Sequence, residues 1–133
     1  MEGALYRGGT IPPGAGFDPA NATPIGHWLC RGWFMNHPER PAPGAITTQE
    51  YLLEVIDSSE APSPTNTLVS SGLEGGATEF TRAVIGGSGR YRDARGDVVQ
   101  ETIGTNTTIL NVFGAPAPNF RFHFNFANGR GGH

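Results

Sequence analysis

Glycine and proline cut this chain into short pieces. The 20 Gly and 11 Pro among 133 residues follow no period and fall between runs rich in Val, Ile, Thr, Phe and Tyr, the pattern of an all-β chain with many turns. No window returns apolar residues at three- and four-residue spacing across three turns, so no helix is expected. Candidate strands lie at 4–11, 27–36, 46–57, 67–74, 78–85, 96–103, 107–113 and 120–127. Eight antiparallel strands suit either a sandwich or a closed barrel, and a barrel of that size has an interior just wide enough for side chains or one small ligand. The length fits a single domain, 1–133. Segment 12–24, PPGAGFDPANATP, reads as a loop at one barrel mouth. The tail 128–133, NGRGGH, has nothing apolar to bury and is expected to fray.

The last candidate strand alternates cleanly. Phe120, Phe122, Phe124 and Phe126 point one way, and Arg121, His123 and Asn125 point the other, as a period of two requires. Two readings stand. Either the phenylalanines face the interior and the polar groups face water, or the polar groups line a lumen and the phenylalanines meet a partner subunit in a homodimer or homotrimer.

Charge removes several function classes. A formal net charge of -3 provides no concentrated basic face for nucleic acid or an anionic membrane. Arg90, Arg92 and Arg95 cluster, but Asp93 and Asp97 are interleaved with them, which reads as a solvated turn. Cys30 is the single cysteine, so an intramolecular disulfide and a multi-thiolate zinc site are both excluded. No apolar stretch has signal-peptide or transmembrane length, and a cytoplasmic, soluble protein is expected. The four histidines, His27, His37, His123 and His133, show no metal-ligating spacing, so no metal is expected.

Local motifs for common chemistries also fail. Gly86-Gly87-Ser88-Gly89-Arg90 has Arg where a nucleophile elbow needs Gly, and no helix follows it. The same segment lacks the Lys and Ser/Thr of a phosphate loop. It reads instead as a turn between strands. Within TRAVIGGSGRYRDARGDVVQETIGTN, residues 81–106, that turn is followed by an aromatic, Tyr91, and a small-x-Gly step, Ala94-Arg95-Gly96. Successive glycines permit positive φ, the aromatic can plug a barrel end, and Gly96 restarts a strand.

This hairpin resembles the signature of the allene oxide cyclase and dirigent families. The likeness extends, in order and spacing of strands, from about Ile25 to Phe126. It implies an eight-stranded antiparallel closed β-barrel with a central cavity and no cofactor. It also implies a function: shaping an apolar polyene or polyketide-like substrate for stereoselective ring closure, with a non-catalytic, dirigent-like binding barrel as the alternative. The physics common to both is confinement by a shaped cavity.

Placed in the family's register, the strand around Cys30 turns Trp28, Cys30 and Phe34 into the lumen as substrate contacts. Glu74 falls where the plant cyclases carry a cavity tyrosine, which makes it a candidate proton donor or acceptor. Arg82, Arg121 and His123 are its candidate counter-charges and further substrate contacts. Tyr51, inward with Leu53 and Val55, offers one phenolic hydrogen bond to a substrate carbonyl or serves as a plain core tyrosine. Cys30 has no base within sequence reach and reads as a small buried apolar residue.

Overall fold

Period-two alternation and β-branched content give four long central strands, and their antiparallel pairing sets the shape of the molecule. The computed structural model describes residues 1–35, 39, 44–53, 65–75, 77–110 and 114–127. Strands β1 (Glu2–Leu5), β2 (Gly14–Phe17), β3 (Gly26–Met35), β4 (Gly44–Leu53), β5 (Asn66–Glu74), β6 (Glu79–Ser88), β7 (Gly96–Leu110) and β8 (Pro116–Phe126) form a single sheet. Two one-turn 3-10 segments, Pro19–Asn21 and Gly89–Tyr91, interrupt it, and there is no α-helix among the described residues.

The sheet runs β1-β3-β4-β5-β6-β7, with β8 on the far edge of β7. β7 is long enough to hold two neighbours in succession on its inner edge. Glu79–Val84 of β6 pair with 96–101, and β2 pairs in parallel with 104–106. β8 runs antiparallel along the opposite edge of β7. Strand count therefore agrees with expectation, but two assignments change. Residues 107–110 continue β7 rather than starting a new strand, and the missing eighth strand is β2, inside the segment expected to be a mouth loop. Residues 111–113 and the tail 128–133 lie outside the described residues.

The sheet curls into an open half-barrel and does not close. No ladder joins β8 to β1 among the described residues. Aromatic contacts span the concave side instead. Phe120 and Phe122 of β8 meet Trp28 of β3 at centroid distances of 5.7 and 6.0 Å, and Phe122 and Phe124 meet Tyr51 of β4 at 5.1 and 5.0 Å. Side chains that interdigitate in this way hold two strands at about the 10 Å of packed sheets, twice the 4.8 Å of hydrogen-bonded neighbours. The curl brings the rings of β8 against those of β3 and β4 across the concave side.

The hairpin at 86–96 forms as its residues suggest. Gly89 has φ of +60° and no room for a Cβ against Thr65 O and the Asn66 side chain. Gly96 has φ of +138° and lies against Asn125 O of β8, so both positions require glycine. Tyr91 stacks on Phe126 with centroids 6.3 Å apart, which extends the aromatic layer to the sheet's end.

Candidate functional site

The phenylalanine side of β8 faces inward, and this parity decides the rest. The core joins Trp28, Tyr51, Leu68, Val84, Ala94 and Val98, with Phe120, Phe122 and Phe124 packed against it. Between this layer and the N-terminal segment lies a cavity of ≈ 650 Å³, lined by Leu5, Tyr6, Phe17, Trp28, Phe120 and Phe122 among others. That volume lies within the range of small-molecule sites. Its walls are mainly apolar and carry nine aromatic side chains, and burial raises the pKa of Tyr6 above its ordinary 10.0.

Deeper along the same concave face, the sheet carries polar side chains where alternation alone would place apolar ones. Gln49, Ser70, Arg82 and Gln100 are all 1% exposed or less. Their hydrogen bonds form chains with one polarity. Trp28 Nε1 can only donate, and it does so to Gln49 Oε1 at 3.1 Å, which turns the Gln49 amide nitrogen toward Gln100 Oε1 at 2.8 Å. Gln100 Nε2 then donates to Glu74 Oε1 at 2.8 Å. A second chain starts at Arg82, whose Nη1 donates to Thr47 Oγ1 at 2.7 Å, while Thr47 Oγ1 donates to Glu74 Oε2 at 2.8 Å. Both end on one carboxylate, which accepts at each oxygen.

Tyr51 belongs to the same system. Arg82 Nε donates to Ser70 Oγ at 3.0 Å, which leaves the Ser70 hydroxyl proton for Tyr51 Oη at 3.0 Å. Tyr51 Oη donates in turn to Gln49 Oε1 at 2.7 Å. Burial pushes the Tyr51 phenol up to about 12, against smaller opposing effects of Ser70 and Arg82. The hydroxyl is thus protonated and its proton already used, so Tyr51 meets the cavity with its ring.

The proposed site residues separate accordingly. Trp28 and Tyr51 come together on the cavity wall. Glu74, Arg82 and Cys30 come together elsewhere, in the polar system: Arg82 Nη1 lies 3.9 Å from Glu74 Oε2, and Cys30 Sγ lies 3.9 Å from the same oxygen. Burial and the Glu74 charge both push the Cys30 thiol up. None of these three lines the aromatic cavity. Arg121 and His123 alternate with the phenylalanines of β8; Arg121 is among the residues lining the cavity and pairs with Glu101 at 3.3 Å, whereas His123 does not line it. Neither serves Glu74.

Phe34 is the clearest displacement. It shares parity with Trp28, yet it lies near the end of β3, beyond the curl, and is 79% exposed. Residues missed in the sequence are Thr47, Gln49, Ser70 and Gln100, together with Asn106 and Asn119 on the cavity wall. A signal existed for the first two: if Tyr51 points inward, Gln49 and Thr47 follow by the same period of two. No group of His, Cys, Asp and Glu able to hold a metal ion occurs among the described residues, and no described helix is long and apolar enough to cross a membrane. The chain matches no protein-family model, no curated protein and no solved structure.

Proposed function

We propose that the protein binds an apolar small molecule in the aromatic cavity beneath β8. The observation that carries this reading is a ≈ 650 Å³ space walled by Trp28, Phe120, Phe122 and Phe124, beside a polar system whose hydrogen bonds are internally satisfied. Aromatic walls reward apolar and ring-bearing ligands through both burial and ring contact. The likeness of residues 86–96 to the cyclase and dirigent hairpins supports the same reading independently of the cavity.

Ring closure of a flexible substrate is the more specific form of the proposal. It is compatible with the placement of Glu74 and the Tyr51 hydroxyl, both committed to structure, because a cavity without a spare proton-transfer group can still select a reactive conformation by shape. Binding comes first, and it is tested by titrating an uncharged naphthalene-based fluorophore. The wild type is expected to take up one equivalent, Trp28→Leu and Phe122→Ala to weaken uptake about tenfold or more, and Phe34→Ala to leave it unchanged. Equal affinity in all four proteins places the ligand elsewhere. Incubating the protein alone with a linear polyene ketone then separates catalyst from binder, since only a cyclase yields a cyclic product without a second enzyme.

A further inference from the structure

One end of the aromatic cavity carries two amides, and one of them, Asn119, has a donor without an acceptor. Asn106 of β7 and Asn119 of β8 are 9% and 7% exposed, and both line the cavity. The register sets Asn119 opposite Gly104 and Pro118 opposite Thr105, so the two residues lie on neighbouring strands at the same end of the cavity. Asn119 Nδ2 is buried without a hydrogen-bond partner. Every other buried side-chain nitrogen described above has an acceptor, and an exception of this kind in a native interior calls for a physical reason.

We propose that Asn119 donates a hydrogen bond to a neutral carbonyl oxygen of the bound ligand, which makes the ligand class an apolar ketone, aldehyde or ester. This rests on the binding role proposed above and adds the polar group that such a ligand must carry. The amide nitrogen is turned into the wall, where it bonds to nothing. A half-turn about the terminal side-chain bond exchanges nitrogen and oxygen and sacrifices no hydrogen bond of that nitrogen. An incoming carbonyl therefore meets a donor with no acceptor to give up. A ligand without an acceptor leaves the amide unpaired, which is the condition under which a site discriminates best.

Geometry also sets the ligand's length. Five residues of β8 separate Asn119 from Phe124, or about 17 Å at the rise of an extended strand. The apolar body then rests against the phenylalanines that line the cavity, with its oxygen at the end where Asn119 lies. A carboxylate suits this end poorly, because the buried donors there are uncharged and Arg121 is held by Glu101.

The test uses three matched probes of this length: an alkyl naphthyl ketone, its hydrocarbon counterpart and the carboxylate. Dissociation constants are measured by calorimetry for the wild type and Asn119→Leu. The ketone-to-hydrocarbon preference is expected to fall about tenfold in the variant while hydrocarbon affinity stays within about twofold. An unchanged preference overturns the assignment of Asn119 and leaves ligand binding intact. Tighter binding of the carboxylate than of the ketone, through the exposed Arg7 that also lines the cavity, overturns the neutral class. Failure of the wild type to bind any probe removes the binding role and this inference with it. Should Asn119→Leu not fold, Asn119→Ala removes the donor without adding bulk or charge and is expected to show the same loss of preference.

Discussion

The concave face holds two regions that solve the problem of an interior differently. Around Trp28, Phe120, Phe122 and Phe124 the sheet packs rings beside a cavity; around Arg82, Gln49 and Gln100 it buries polar groups whose hydrogen bonds converge on the part-buried Glu74. The first region gains from area removed from water and tolerates imperfect fit. The second gains only if every donor meets an acceptor, and it fixes the strands in one register because each amide has a defined direction. A space for ligands is thus found where packing is non-directional, and rigidity where it is directional. Tyr51 joins the two, with its ring on the cavity side and its hydroxyl among the polar groups.

Substitutions that break the polar region should cost most. Arg82→Leu leaves Glu74 without its charge partner and strands Thr47 and Ser70, and a loss of about 3–5 kcal/mol in chemical denaturation is expected. A loss under about 1 kcal/mol would mean that the network is ornamental to stability. Alkaline pH tests the junction. Tyr51 is held near 12 in the folded chain against an ordinary 10.0, so the unfolded chain gives up this proton first. The contribution is intact below pH 10 and is lost as pH rises toward 12, on the order of 2–3 kcal/mol. Tyr51→Phe should remove that part of the alkaline slope, which urea midpoints at pH 9 and pH 11 would reveal.

The aromatic region should respond more mildly in stability and more strongly in binding. Phe122 is half-buried, and Phe122→Ala is expected to cost about 2 kcal/mol while weakening fluorophore uptake. A variant that loses stability without losing uptake would detach the cavity from β8. The smallest effect is expected at Phe34, exposed near the end of β3. Phe34→Ala should change stability by less than about 0.5 kcal/mol and leave binding intact, as thermal unfolding and the same titration would show.

Legibility in the sequence followed the strength of the local pattern. The alternation at 120–126 told which residues share a face, and the structure turns its phenylalanines inward. Glycines at 86–96 marked a hairpin whose backbone demands them. β2 escaped because Gly14-Ala15-Gly16-Phe17 has almost no side chains to alternate; it is a strand only because the long β7 leaves it an edge. Closure was misjudged because strand number says nothing about whether two edges meet. The grouping of Glu74 with Arg82 was legible as a charge pairing, but not its separation from the cavity: opposite ends of one strand face share parity and differ only in where the sheet curls.

The missing seam between β8 and β1 has a consequence for selectivity. In a closed barrel, girth takes discrete values set by strand number and stagger, so its cavity changes size only by rearrangement. Here the span is set by rings resting on rings, and each ring is a separate adjustable spacer. Exchanging Phe120 or Phe122 for a smaller side chain would retune the width of this pocket in small steps, leaving the ladder untouched, and related ligands of different bulk could be accommodated by single substitutions.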